Sequence, residues 1–328
     1  MERTMKLPKI SIIMPVLNRG DTIQKAFESI IDQHYPHIEL IVIDGGSTDE
    51  TLTVIHQYEQ HISYWQSKPD GSAVVAINTG IQHATGDVVA ILMADDWYEP
   101  GILQKIAEVF VMQPDVDVVT CGGRIVYHDH KRQTFVAKHT YANAKRMQLN
   151  FKNICLDITS AICCRFIRRS LYERIGVFHP YDAAGKHMFS NDKEFLLRVV
   201  LANAKEVYVD YIGHNYLAHP QSSTFGNNKA NIMRLCQEHM QIVELYLHRK
   251  KLSKKQRLLL IYWYNDQSTR LLLYKLLQGD VRAALSTAAD GLRKYNLLWP
   301  VIFGATFCQI IMKRSGRLLR KSITALDM

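Results

Sequence analysis

An α/β architecture, built on a mixed and mostly parallel sheet and extended by a helical C-terminal appendage, is the fold class the sequence predicts. Three observations predict it. Short β-branched runs, Ile38 to Ile43 and Val88 to Leu92 among them, end at carboxylates. Segments of helical periodicity alternate with these runs through short connections, as in a parallel-rich sheet. From about residue 228 strand signals cease and long helical patterns take over.

The elements follow in order. Lys9 to Val16 reads as the first strand, and Asp21-Thr22-Ile23 opens a helix whose Ile23, Ala26, Phe27, Ile30 and Ile31 recur at helical spacing. Tyr35-Pro36 ends that helix, and a second strand runs to Asp44. Ser47 or Thr48 is suited to cap the next helix, with Asp49 and Glu50 at its positive end. After Asp95-Asp96, Pro100-Gly101 starts a helix through Phe110. Val116 to Cys121 and Gly123 to Tyr127 read as two strands. Residues 128 to 150 are polar and basic without a period, and read as an excursion with no assigned structure. Ile158 to Ile167 reads as a strand, Ser170 to Gly176 as a short helix, and Asp192 to Val200 as another.

The C-terminal region is expected to be three helices, Ala230 to Arg249, Lys254 to Leu277 and Val281 to Leu292. The expected division is a catalytic domain over 1–227 and a helical region over 228–328. Residues 297 to 312 carry no charge and precede Lys313, Arg314, Arg317, Arg320 and Lys321. This run falls short of the roughly 20 residues a spanning helix needs. Segment 297–321 is therefore expected to lie on an anionic membrane surface, the alternative being a core helix with a solvated basic tail.

Composition sets outer bounds. A chain of 328 residues with 47% hydrophobic and 22% charged content is globular. Its formal net charge of +9 favours anionic partners such as nucleotide sugars, lipid phosphates or phospholipid headgroups. No stretch resembles a DNA- or RNA-binding module, so no nucleic-acid partner is expected. The six cysteines form no CxxC pair and no metal spacing, which fits buried thiols in a reducing cytosol. The first eight residues lack the apolar core of a signal peptide, so a cytoplasmic protein, peripheral at the inner face of the plasma membrane, is expected.

The chemistry concentrates in a series of acidic landmarks: Asp44, Asp70, Asp95-Asp96 and Asp192. Carboxylates beyond the C-terminal ends of buried strands point into the crevice where open α/β sheets bind ligands. Adjacent carboxylates there suit a hard divalent cation, and such a cation suits a diphosphate. Each residue also has a plainer reading: Asp44 and Asp70 as turn formers, Asp95-Asp96 and Asp192 as helix caps. His128-Asp129-His130 is best read as polar loop rather than as a metal site.

The same residues carry a family resemblance. Ser11-Ile12-Ile13-Met14-Pro15-Val16-Leu17-Asn18, then Ile43-Asp44-Gly45-Gly46-Ser47-Thr48-Asp49, then Asp70-Gly71, then Asn78, Gly80, Ile81, Ala84 and Gly86, then Asp95-Asp96 resemble a family-2 glycosyltransferase in order and spacing. The resemblance covers roughly residues 9 to 225. It implies the GT-A fold, a nucleotide-binding α/β sandwich, and transfer of a sugar from a nucleotide diphosphate donor with inversion at the anomeric carbon.

By that resemblance Pro15, Val16, Asn18, Asp44, Asp70 and Asp95 bind the nucleotide sugar, with Asp44 on the base or ribose. Asp95, Asp96 and His219 hold Mg²⁺ or Mn²⁺, and Asp192 is the general base that takes the acceptor hydroxyl's proton. Three positions depart from the pattern: Met93 stands where the first metal carboxylate is usual, Asn191 where an acid precedes the base, and Leu217 where an Arg precedes the histidine. The implied acceptor is a glycan or lipid-linked saccharide of polysaccharide or lipopolysaccharide synthesis. A non-catalytic nucleotide-sugar-binding scaffold subunit is the main alternative. A nucleotidyltransferase would need a Gly- and Lys-rich phosphate loop that Leu17 to Asp21 does not supply.

Overall fold

The computed structural model describes residues 6–129, 131–156, 162–182, 185–220, 229–249, 251–295 and 304. It divides into two compact units, Met1–Gly226 and Asn227–Met328. The first alternates strand and helix: β1 Ile10–Val16, α1 Ile23–Ile31, β2 Ile38–Asp44, α2 Thr51–Gln57, β3 Tyr64–Ser67, α3 Ala73–His83 and β4 Val88–Ile91. It continues with β5 Trp97–Tyr98, α4 Ile102–Met112, β6 Val118–Asp129, β7 Thr134–Tyr141, α5 Ala144–Met147 and α6 Phe151–Cys155. β8 Arg165–Arg168, α7 Arg169–Ile175, α8 Asn191–Leu201 and β9 Glu206–Leu217 complete it.

One sheet of order β3-β2-β1-β4-β8-β6-β9-β5, with β7 on β6, organises this unit. β1 to β4 are mutually parallel. β8 opposes both β4 and β6, which returns β6 to the direction of β1 to β4, and β9 runs parallel to β6. β5, β7 and β8 are the opposed strands. The C-terminal ends of β1, β2, β4, β6 and β9 therefore share one end of the sheet. This mixed, mostly parallel sheet with helices packed on it is the GT-A architecture the motifs implied.

Apolar strands and the apolar stripes of α1 and α4 meet in one core that includes Ile12, Met14, Phe27, Val42, Leu92, Ile106 and Phe166. Small residues let the layers close. A β-carbon on Gly80 of α3 would collide with the fully buried Ile13 of β1. One on Gly86 would lie 2.8 Å from the Ser11 nitrogen.

Three local expectations are corrected. Residues 118–129 form one twelve-residue strand, not two, because Gly122-Gly123 is not a turn. A β-carbon on Gly123 would sit 2.6 Å from the Tyr141 ring, so the glycine admits that ring into the sheet, and the register with β9 shifts there. Neither Ser47 nor Thr48 caps α2. That helix starts at Thr51, whose N–H donates to Asp49 at 3.0 Å, while Ser47 is taken up by Asp44. Only the end of the strand expected over 158–167 is described as strand, Arg165–Arg168, preceded by a 3-10 turn at Ile162–Cys164.

The second unit consists of α9 Lys229–Leu247, α10 Lys254–Leu277 and α11 Val281–Tyr295, close to the expected limits. Ser253 caps α10 through a reciprocal box with Gln256. α10 packs against both α9 and α11. The segment 297–321, expected at a membrane surface, lies outside the described residues apart from Gly304. Among the described residues no helix is long and apolar enough to cross a membrane.

Candidate functional site

A cleft of about 600 Å³ opens at the C-terminal end of the parallel strands. One wall is the β1 end, Pro15 to Arg19. The opposite wall runs through Gly45 and Pro69 to Ala73, and Met93-Ala94-Asp95 closes the head. Pro15, Val16, Asn18, Asp70 and Asp95 are thus brought together around one space.

Asn18 makes the first wall rigid. It sits at φ 51°, a left-handed conformation that Asn tolerates better than most residues. Its N–H donates to Ser47 Oγ at 2.8 Å, and its Oδ1 accepts from the Thr48 N–H at 2.9 Å. The loops after β1 and β2 are thereby stitched to each other.

Asp44 does not face the cleft, which corrects its expected contact with base or ribose. Its carboxylate is fully buried and accepts from the N–H groups of Gly46 and Ser47 at 3.0 and 2.9 Å, from the Ser47 hydroxyl, and from Ser67 Oγ at 2.5 Å. It shapes the turn that presents Gly45. A β-carbon on Gly45 would lie 3.1 Å from Asp70 Oδ1, so the missing side chain is what lets Asp70 lean across this wall. Burial pushes the Asp70 pKa up against the lowering bond from the Ser72 N–H, and nearby Asp44 pushes the same way.

Asp95 and Asp96 are adjacent and do different things. Asp95, partly exposed at the cleft head, receives Arg19 Nε at 3.3 Å and meets His219 Nε2 at 2.9 Å, both on Oδ2. Asp96 turns inward and is 1% exposed. Its Oδ1 accepts from the Leu217 N–H at 3.0 Å, and its Oδ2 lies 3.1 Å from His214 Nε2. Burial pushes the Asp96 pKa up while His214 pulls it back. For His214, burial works against the charged form, yet Cys164 and the bond to Asp96 carry its pKa up to about 10. The expectation of paired metal carboxylates is therefore divided: Asp95 addresses the cleft, whereas Asp96 anchors the loop from below.

A second set of metal-ligating types lies around that anchor. Ligand atoms of Asp96, Cys163 and His214 fall within 4.8 Å of one another, all buried. Its thiol-containing donor set differs from the oxygen-rich shell that Mg²⁺ or Mn²⁺ prefers. Cys121, Cys155, Cys163, Cys164 and Cys236 are all free and buried. The Cys163 and Cys164 thiols are pushed well up, by burial in the first and chiefly by the hydrogen bond with Cys121 in the second, so they are unreactive.

Asp192 occupies the first turn of α8, half-buried, where its Oδ1 accepts from the Lys193 N–H at 2.7 Å. It is not among the residues lining the cleft. The segment before it approaches the Asp70 wall: a β-carbon on Gly71 would lie 3.3 Å from His187 Nε2. Arg19 and His214 were not anticipated from sequence. Arg19 follows Asn18 in the first motif and could have been found as the sole cation of that loop. His214 lies in a mixed strand, β9, with no motif around it.

Solved structures with this fold include Staphylococcus aureus TarS residues 1–349 in complex with UDP-GlcNAc. It has TM-score 0.61 and 15% identity, covering 89% of this chain and 90% of that one. The mannosyltransferase PcManGT from Pyrobaculum calidifontis, in complex with GDP-Man and Mn²⁺, gives TM-score 0.56 and 18% identity, covering 93% and 87%. By sequence the chain is 27% identical over 190 residues to an uncharacterized glycosyltransferase of Rickettsia typhi, covering 56% of this chain and 59% of that one. It is 36% identical over 111 residues to Bacillus subtilis TuaG, named for teichuronic acid biosynthesis, covering 32% and 43%. The chain thus spans about 59% of the length of its Rickettsia relative. The profile of Glycosyl transferase family 2 matches residues 11–176, which contain the whole cleft, and the chain belongs to that family.

Proposed function

We propose that this chain is an inverting glycosyltransferase that moves a sugar from a nucleotide diphosphate donor to a hydroxyl of a glycan acceptor, in cell-envelope polysaccharide synthesis. One observation carries the reading: Asp95 stands at the head of a cleft walled by the ends of β1 and β2 and the Pro69–Ala73 turn. The neighbours solved in complex with UDP-GlcNAc and with GDP-Man support a nucleotide-sugar donor. The likeness to TuaG, named for teichuronic acid biosynthesis, supports an envelope polysaccharide.

The donor's nucleotide would lie between Pro15–Asn18 and the Gly45–Asp70 wall. Asp95, with an oxygen already shared by His219 and Arg19, fits a divalent cation, with His219 as a second ligand. When bound there, Mg²⁺ or Mn²⁺ would supply positive charge against the diphosphate leaving group. Asp96 supports Asp95 and is not assigned as a ligand. In the transfer, the acceptor oxygen bonds to the anomeric carbon as the bond to the diphosphate oxygen breaks. Asp192 takes the acceptor's proton, and the one-step in-line displacement inverts the centre.

The test is nucleotide release from UDP-, GDP- and dTDP-sugars, with and without Mn²⁺. Release from one donor that depends on metal and disappears in Asp95→Ala is expected. Asp192→Ala should bind the same nucleotide yet lose about 10²–10⁴-fold in turnover. Tight nucleotide binding without release, even with lipid-linked acceptors supplied, would replace this reading with that of a scaffold subunit.

A further inference from the structure

Residues 129–152 carry six Lys or Arg against one acidic residue, in a chain whose net charge is +9. Lys131, Arg132, Lys138, Lys145, Arg146 and Lys152 are all exposed. The single acid, Asp129, is engaged by the N–H groups of Lys131 and Arg132 at 3.0 and 3.2 Å and by the Arg132 side chain at 3.8 Å. The positive field of this stretch is therefore almost uncompensated from within.

The fold decides where that field points. β6 runs in the direction of β1 to β4, and its Val126 pairs with Leu217 of β9. Leu217 is the residue whose N–H holds Asp96, two residues before the His219 that meets Asp95. The β6–β7 turn begins three residues beyond Val126, which at about 3.3 Å per residue carries it on the order of 10 Å past the Asp95 level. The hairpin thus rises from the cleft end of the sheet.

Close to its turn, where Phe135 pairs with His128, the hairpin is fixed beside the same loop. Phe135 packs on Trp97, the residue after Asp96, at 4.8 Å between ring centroids, and on His128 at 5.2 Å. Lys25 Nζ lies 4.1 Å from both the Trp97 and Phe135 centroids. Among the described strands β7 pairs with β6 alone; Lys131 and Arg132 lie in the turn before it and Lys138 within it. Lys138 lies four residues into β7, about 13 Å from the turn that carries Lys131 and Arg132, a span suited to a chain of anionic groups and not to one phosphate. Phe135, the large apolar group of β7 most exposed, is committed to this stack and not free to enter a bilayer.

We propose that the β6–β7 hairpin with α5 is an acceptor-binding arm, and that it takes a polyanionic glycan bearing regularly spaced carboxylates or phosphates. The inference rests on the transferase reading for what happens in the cleft, but the binding can be measured without turnover.

The experiment measures binding of fluorescently labelled polygalacturonate to the full chain, with dextran as the neutral control and phosphatidylglycerol vesicles as a lipid probe. The variant Lys131→Glu/Arg132→Glu/Lys138→Glu is compared with Lys251→Glu/Lys254→Glu/Lys255→Glu, an equal charge change at exposed lysines of the helical unit. A milder pair, Arg132→Gln/Lys138→Gln, guards against misfolding, and thermal melts of all variants establish the folded state. The expected result is salt-sensitive polygalacturonate binding, weakened about tenfold or more by the arm variant and less by the milder pair. The helical-unit variant should stay near wild type, and nucleotide affinity should be the same in all. Equal loss in arm and helical-unit variants, binding to vesicles alone, or binding of dextran as well as polygalacturonate would each overturn the proposal. Arm-dependent binding in a chain that releases no nucleotide would support the arm while sinking the transferase reading.

Discussion

In the β1–β4 wing of the sheet, all of β1 and β4 is buried, and Ser11 is the only polar residue in those two strands. In the β5–β9 wing the buried set includes Asp96, Thr120, Arg165, His214 and Asn215. The first wing closes by apolar packing and small-residue contacts, and it supplies the walls of the cleft. The second closes around paired polar groups, and it fixes the loop that carries Asp95. Apolar packing tolerates any partner of suitable volume, whereas a buried ion pair specifies one position. The loop that must present a single carboxylate is held by the specific kind of contact.

The strongest way to break this contrast is to remove one partner of the buried pair. Asp96→Ala leaves His214 and the Leu217 N–H buried without the carboxylate that faces them. The expected cost is about 3–5 kcal/mol in denaturant unfolding. Asp95→Ala next door removes a partly exposed group and should change stability within about 0.5 kcal/mol while abolishing nucleotide release. A loss below about 1 kcal/mol in Asp96→Ala would mean that the pair does not hold the loop.

Legibility from sequence divides along the same line. β1, β2 and the run into Asp95 were readable because uninterrupted apolar strands leave a period-free signature of their own, and because Gly80 and Gly86 mark close approaches. β9, EVYVDYIGHNYL, was not read at all. Its residues are polar and half-buried in alternation with no clean period, and its pairing with β6 joins residues about 90 positions apart. The β6–β7 hairpin was hidden for a different reason: its turn lacks the Gly-containing pairs that signal one, and Gly122-Gly123 falsely suggested a turn earlier. In the site, Pro15, Val16, Asn18, Asp70 and Asp95, which the family resemblance had singled out, line one cleft. Orientation was not legible. Nothing in the string Asp95-Asp96 says which carboxylate turns inward, since that depends on a histidine 118 residues later.

A buried carboxylate also exists in the apolar wing, and it sharpens the comparison by lying at the opposite end of the sheet. Glu39 accepts from Lys9 Nζ at 2.5 Å, Ser11 Oγ at 2.5 Å, and the Thr85 N–H and Oγ1 at 2.7 and 2.6 Å. Burial pushes its pKa up, but these donors outweigh burial and hold it at about 2, below the ordinary 4.5. A depressed pKa stabilises the fold fully above the unfolded value, and that stabilisation is lost as pH falls from about 4.5 through about 2. Glu39→Gln should cost about 2 kcal/mol at pH 7 and flatten the acid limb of the melting profile in that window. Parallel acid limbs for wild type and variant would show that Glu39 is not the group being titrated.

The smallest effect tests the apolar contact between α3 and β1 in the first wing. Gly80 is buried on α3, and a β-carbon there meets the Cγ and Cβ atoms of Ile13, itself fully buried. Gly80→Ala gains about 1 kcal/mol of helix propensity and loses about 1–3 kcal/mol to overpacking, so a net loss of about 1 kcal/mol is expected. Ile13→Val alone should cost about 0.5–1.5 kcal/mol by leaving a void. If the contact is one of volume, the two changes compensate, and the double variant will be more stable than the sum of the single losses allows. Strict additivity would place the strain of Gly80→Ala in the backbone, and the wing would then owe its closure to chain path and not to the fit of Ile13 against a bare glycine.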